Sequence, residues 1–317
     1  MKIIHIFFIL LITYALSAAA NNIELLKQKA KNGDPIAQYN LGYMYLNASD
    51  VIKDNAEGMR WMYESAKQNN AEAEYYLGFN LIYANLLDIT HFRERASRAY
   101  IYFNNSAEHH NILAQTQVGV MLLKGIGVKQ NYIEARHWFE IASDRNESSA
   151  MYHLGKMYLE GVGVAKNVEK AINYFRNSAD LNNSDSQLQL GIMYYNGIGF
   201  RVNYNKAFQW YLEAAMHQNS DAQCRLGTMY LYGTGVEVDN IEALRWLKLS
   251  AQKHFTLSEY IMGILYLNGG VVEKDLLLAH AWLGRASNAG NSDAKKALAE
   301  LDKQLTSEQK EKADKLL

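Results

Sequence analysis

An imidazole pair, a glycine turn and a set of recurring aromatic rings are the features of this 317-residue chain that could do chemistry. Glu108-His109-His110-Asn111 offers metal-ligand types, but adjacent residues point in different directions and no third ligand accompanies them. Gly125-Ile126-Gly127 has the outline of a phosphate loop, yet no strand precedes it and no Lys-Ser/Thr follows. The aromatic rings could form a cage for a sugar or a choline-like cation. Cys224 is the single cysteine, so no internal disulfide can form. Neither HExxH, CxxC, GxSxG nor a Walker motif occurs. The residues therefore predict no catalytic, cofactor-binding or metal-binding group, and a chain that is not an enzyme.

What places these residues is a repeat. Gly42, Gly78, Gly119, Gly155, Gly191, Gly227 and Gly263 are separated by steps of 36, 41, 36, 36, 36 and 36 residues. A fixed period of this size predicts stacked helix pairs. In each copy a small residue (Ala37, Ala73, Ala114, Ala150, Ser186, Ala222, Ser258) opens a first helix. An aliphatic follows four positions on, then the glycine, then an aromatic or Leu, all on one helical face. A glycine inside a helix costs about 1 kcal/mol against alanine, so its recurrence predicts a close neighbour. The second helix carries a small residue and, three positions on, Trp61, Tyr102, Trp138, Tyr174, Trp210, Trp246 or Trp282. These rings are expected to fill the glycine notches, which makes them core and not a ligand cage.

Asp54, Asn131, Asn167, Asn203, Asp239 and Asp275 are expected N-caps of the second helices. Glu57, Glu134 and Glu242 stand at capping-box spacing from three of them. The second helices end at Asn69, His110, Asn146, Asn182, Gln218, His254 and Gly290, with Gly33 before the first copy. Gly, Asn and His tolerate the left-handed conformation of a helix C′ position. His110 thus has a structural place, and the GxG turn recurs as the end of the first helices.

A positive Lys2, the apolar run 3–16 and small residues up to Ala20 predict a cleaved signal peptide over 1–20. A capping helix is expected over 21–36, seven repeats over 37–293 and capping helices over 294–317. The second copy carries five extra residues within 84–98, including Arg93, Arg95 and Arg98. A net charge of -1 leaves no electrostatic footprint for nucleic acid. No stable membrane insertion is expected after cleavage, and the protein is expected to be monomeric.

The combined pattern, A-x3-LG-x2-Y-x2-G-x-GV-x3-D/N-x3-A-x2-W-x3-AA, resembles the Sel-one-like repeat, a relative of the tetratricopeptide repeat, over about 22–302. Ala48 and Asp50, the rebuilt second turn and Val271 depart from it. The resemblance implies an all-α, right-handed α/α superhelical solenoid that acts as an adaptor for a protein or peptide partner. With the expected leader this places the protein in the periplasm or outside the cell, where the resemblance implies a part in envelope processes or host contact. A periplasmic regulator of a cell-wall enzyme is the alternative, and a β-lactam or peptidoglycan hydrolase a more distant one. The paired cysteines of penicillin-binding relatives are absent.

Binding is expected where the copies differ. On the first helices the most varied column runs Asn40, Tyr76, Gln117, His153, Gln189, Arg225 and Ile261, and seven residues on stand Asn47, Tyr83, Lys124, Glu160, Asn196, Tyr232 and Asn268. First helices line the concave wall of helix-pair solenoids. The candidate partner-binding residues are Tyr76, Tyr83, Gln117, Lys124, His153, Glu160, Gln189, Asn196, Arg225 and Tyr232, with tyrosine and arginine the expected anchors.

Overall fold

The structure, a computed structural model, describes residues 22–47, 51–83 and 90–317. The expected leader at 1–20, Ala48 and Asp50 of the first turn, and 84–89 of the second-copy insertion lie outside the described residues. These form seventeen α-helices and no strand. Helix α1 covers 22–31. Seven helix pairs follow: α2 (Pro35–Asn47) with α3 (Asn55–Ala66), α4 (Ala71–Tyr83) with α5 (Phe92–Glu108), α6 (Ile112–Lys124) with α7 (Tyr132–Ser143), α8 (Ser148–Glu160) with α9 (Val168–Asp180), α10 (Ser184–Asn196) with α11 (Tyr204–Met216), α12 (Ser220–Tyr232) with α13 (Asn240–Gln252), and α14 (Thr256–Asn268) with α15 (Leu276–Asn288). Helices α16 (Ser292–Leu301) and α17 (Ser307–Ala313) close the chain. The chain forms two compact units that meet in sequence at Ala150 and Met151.

The hairpin of each pair is set by its turn. Gly125, Gly197 and Gly233 adopt left-handed φ of 69°, 72° and 66° at the ends of α6, α10 and α12, a conformation that disfavours a side chain. The next helix starts on an extended Asn or Asp whose carboxyl or amide oxygen accepts the third backbone N–H, as Asn203 does from Lys206. The capping box is only half built. Asp54, Asn131 and Asp239 donate their own backbone N–H to the carbonyls of Tyr45, Leu122 and Tyr230 in the preceding helix. With that N–H engaged, Glu57 and Glu242 turn to Arg60 and Arg245 instead. Thr306 and Gln309, ahead of α17, make the complete reciprocal box.

Asn69, His110, Asn146, Asn182, Gln218 and His254 all have φ between 60° and 66° at the ends of their helices. First helices also have caps that the repeat pattern did not single out: Asn111, Asn183 and Asn219 accept from Ala114, Ser186 and Ala222, and Asn291 does the same for α16 from Ala294. In the second copy the segment from Phe92 is helical, so Arg93, Arg95 and Arg98 stand on α5 rather than on a loop. Glu94 in the first turn suits the helix dipole there.

The glycine notches receive a different partner from the expected one. A Cβ on Gly119, Gly155 or Gly191 would stand 2.5–2.7 Å from a ring carbon of Phe139, Phe175 or Tyr211. On Gly227 and Gly263 it would meet Leu247 and Leu283 at 2.8 and 2.7 Å. These residues follow the tryptophan column by one position. A step of one along a helix turns a side chain by about 100°, so the tryptophans face elsewhere. Trp246 packs among Ala207, Tyr211 and Ala214 of the preceding pair, and Trp282 against Cys224, Leu247 and Ala251. Trp61 lies against Ala30 of α1. Notches thus close a pair on itself, and tryptophans join one pair to the next.

A column of buried amides adds to this seam. The Nε2 groups of Gln38, Gln115, Gln187 and Gln223 donate to the carbonyls of Ala30, Ala107, Ala179 and Ala215. Glu74 and Glu259 occupy the same column in α4 and α14, both almost wholly buried. His109 Nδ1 lies 2.8 Å from Glu74 Oε2, and Arg285 Nε lies 3.2 Å from Glu259 Oε1.

Candidate protein interface

In the first unit, α2 and α4 present tyrosines at successive turns. Tyr75, Phe79 and Tyr83 form a ladder along α4, with ring centroids 6.3 and 4.4 Å apart. Tyr39 and Tyr43 make the matching pair on α2, 6.2 Å apart. Tyr43, Phe79 and Tyr83 remain 46%, 43% and 42% exposed. Burial raises the pKa of the Tyr39, Tyr75 and Tyr76 hydroxyls above the usual phenol value, so these rings stay neutral hydrogen-bonding groups.

Tyr76 does not stand free. It packs against the cluster of Met62, Ala66, Ala73 and Leu77 and supports α4 as much as it shows outward. Gln117 is half-buried, and Lys124 is exposed in the last turn of α6. In the second unit, His153 is half-buried, its ring edge-on to Tyr152 at 5.3 Å. Glu160 is exposed and pairs with Lys156 at 3.5 Å. Gln189 is half-buried, and Asn196 is exposed just ahead of the left-handed Gly197.

Arg225 and Tyr232 line one cavity together. It is a cleft of about 210 Å³ on the face of α12, with Tyr195 of α10 and Leu257 of α14 at its sides. Tyr232 forms its lip and is 72% exposed. Arg225 donates Nε–H to Asp221 at 2.8 Å and lies over the Tyr211 ring, 5.8 Å from its centroid. Thr228 and Met229 complete the α12 wall, and the thiol-bearing Cys224 is buried beside them. Burial pushes the Tyr211 hydroxyl up to about 12, against the opposing pull of Arg225. The same burial raises the Cys224 thiol, which keeps it protonated and unreactive.

Column divergence had pointed to Arg225 and Tyr232. It missed Tyr195, Thr228 and Tyr211. Tyr211 lies on a second helix and reaches the cleft only because its ring runs beneath Gly191. The α4 ladder did carry a signal, the i, i+4, i+8 spacing of Tyr75, Phe79 and Tyr83. His109 and His110 separate in role, His109 turning to Glu74 while His110 takes the C′ conformation.

Comparison with known proteins gives the same register of repeats. The Sel1 repeat model matches at 35–70, 71–111, 112–147, 148–183, 184–219, 220–255 and 256–291. Among solved structures, a protective antigen of uropathogenic Escherichia coli displaying an SLR fold is 30% identical, with a TM-score of 0.70. That match covers 92% of this chain and 62% of the E. coli chain. A Sel1 repeat protein from Oxalobacter formigenes is 25% identical with a TM-score of 0.71, covering 79% of this chain and 99% of its own. A putative sel1-like repeat-containing protein of Acanthamoeba polyphaga mimivirus is 45% identical over 47 residues, 15% of this chain and 8% of the viral protein. Seven consecutive matches in register with seven glycine notches leave one reading: the chain belongs to the Sel1 repeat family.

Proposed function

We propose that this protein is an exported, non-catalytic adaptor that holds a partner protein or peptide on the face built from its first helices. A Sel1-repeat solenoid commonly serves as a scaffold for protein interactions, and first helices line the concave wall of such arrays. The observation that carries the reading is the set of exposed rings that first helices carry within each unit. Tyr43, Phe79 and Tyr83 in one unit and Tyr232 in the other have large apolar area and a polar tip, the composition of interface anchors. The helices beneath them are locked by notches and seams, so little conformational freedom is lost on binding.

The test is photo-crosslinking in living cells, with benzoylphenylalanine placed at 83, at 232, or at the outward positions 209 and 213 of α11. Discrete protein adducts are expected at 83 or 232 and not at 209 or 213. Tyr83→Ala combined with Tyr232→Ala should reduce recovery of the adduct partner by about tenfold or more, with the melting temperature nearly unchanged. Equal adducts at 209 and 213, or unaltered recovery by the double variant, would move the interface elsewhere. Export is tested by sequencing the N-terminus of the protein recovered from the envelope or medium, where Asn21 is the expected first residue. Nitrocefin turnover abolished by one substitution in the cleft would overturn the non-catalytic reading.

A further inference from the structure

The α12 cleft contains a polar atom that the fold itself does not use. Tyr211 is 1% exposed, and its hydroxyl has no hydrogen-bond partner among the described residues. The ring cannot swing to find one, because it lies directly beneath Gly191. Buried hydroxyls are almost always paired, so an unpaired one on the wall of a cavity asks for an occupant. Its charged neighbours are Arg225, which lines the cleft, and Asp221 behind it, the partner of Arg225. Arg225 gives its Nε–H to Asp221 and sets its guanidinium beside the Tyr211 hydroxyl. Thr228 directs its own proton to the Cys224 carbonyl at 2.8 Å. With a guanidinium on one side and no acceptor for its proton, the Tyr211 hydroxyl is placed to donate. Met229, Leu257 and the Tyr232 ring give the cleft apolar wall, and Tyr195 and Thr234 line it as well.

We propose that this cleft receives the side chain of a glutamate carried by a partner peptide, its carboxylate accepting from the Tyr211 hydroxyl and the Arg225 guanidinium. This rests on the adaptor reading and gives that face a chemical preference. The cleft, at about 210 Å³, is smaller than the 300–1,000 Å³ of ordinary small-molecule pockets, and suits one side chain. A glutamate brings two methylenes for the apolar walls and a charged acceptor for the floor. A carboxylate met by arginine and a phenol makes charge-assisted bonds, stronger than those to a neutral amide. A glutamine would accept only through a neutral amide oxygen and would bring two donors for which the guanidinium has no acceptor. A chain-terminal carboxylate would bring its own backbone N–H there, with nothing to accept it. A leucine would leave the Tyr211 hydroxyl as unpaired as before.

The test uses immobilised decapeptides with Glu, Asp, Gln or Leu at the centre, or a free apolar C-terminus, in mixed Ala/Leu/Ser flanks. They are probed with the full chain, and the strongest binders are followed by fluorescence anisotropy. Central Glu is expected to be preferred, with Glu→Gln in the peptide weakening binding about tenfold or more. Tyr211→Phe should weaken the Glu peptide by about fivefold or more while leaving the melting temperature unchanged or raised, since it removes only an unsatisfied hydroxyl. Arg225→Gln should weaken it at least as much. Equal binding of Gln or Leu peptides, preference for the free C-terminus, or full affinity in Tyr211→Phe would each overturn the proposal. A fall in melting temperature in Tyr211→Phe would do so too, by showing that the hydroxyl already has structural work. Absence of binding by every peptide also refutes it. Cellular adducts at 232 would in that case leave the adaptor reading standing, and their absence would remove both.

Discussion

Replacing Gly155 and Gly284 with alanine, one at a time, separates the notch from ordinary helix propensity. Both glycines lie inside helices, and propensity alone gives each alanine variant a gain of about 1 kcal/mol. The surroundings differ. A Cβ at Gly155 would stand 2.7, 2.8 and 3.0 Å from Cε1, Cδ1 and Cζ of Phe175, whereas nothing lies within 4 Å of one at Gly284. Phe175 is fully buried among Ala171, Ile172, Ala179, Leu190 and Met193. To regain ordinary contact its ring must retreat by about 0.7 Å into a core already at solid-like density. Overpacking of this kind typically costs 1–3 kcal/mol, which outweighs the propensity gain and leaves Gly155→Ala about 1 kcal/mol less stable. Gly284→Ala keeps its gain. The assay is urea denaturation of both variants followed by circular dichroism and tryptophan fluorescence. Midpoints are expected to move in opposite directions, with melting temperatures shifting by roughly 2–4 °C per kcal/mol. Two alanines that stabilise alike would refute the notch argument, whatever the spacing of the glycines.

Burial holds the pKa of Glu74 above the usual carboxylate range, with His109 opposing it and Glu108 adding to it. A raised folded pKa means that the protonated form is favoured in the fold, so this contribution is full in acid and is lost as pH rises through the folded value. Glu74→Gln, which can donate to the Ala66 carbonyl as its column-mates do to theirs, should therefore stabilise at pH 7 and gain much less at pH 4. An identical margin at both pH values in urea titrations would contradict this. Gln218 is held at φ 63°, where an L side chain is strained, and Gln218→Gly should raise the stability by about 1 kcal/mol or less, read as a higher melting temperature. A lowered melting temperature would show that its long contact with Lys253 matters more. Tyr76→Ala should destabilise while Tyr232→Ala does not, because only Tyr76 packs in a core cluster; equal melting temperatures would reverse that assignment.

The period of 36 made most of the architecture readable before any coordinates. Positions such as His110 and Asn182 could be placed at helix ends because a left-handed backbone favours few residue types. Asn131 and Asn203 could be placed at helix starts for a similarly local reason. Partners across helices were harder. Trp138 and Phe139 are both large and adjacent, and the sequence pattern does not say which one turns toward the glycine; that depends on the helix crossing. The Glu134 spacing likewise suggested a capping box, yet the Asn131 N–H had gone to a carbonyl in the preceding helix. The candidate strip was read from the first helices alone, so Tyr211, arriving from α11 through the space left by Gly191, was invisible to it. An unpaired hydroxyl is a property of three-dimensional surroundings and has no signature in a linear string.

Closing each helix pair on itself while a separate tryptophan seam joins it to its neighbour also bears on how such chains change length. Duplicating one 36-residue segment in a gene would supply a complete notch together with one new seam, and would ask nothing of the copies already present. Loss of a segment in register would be equally tolerated, whereas a cut that divided a glycine from its Phe, Tyr or Leu would leave two half-filled clefts. Reach along a binding partner can thus be lengthened or shortened in whole steps by recombination, without redesign of the interior.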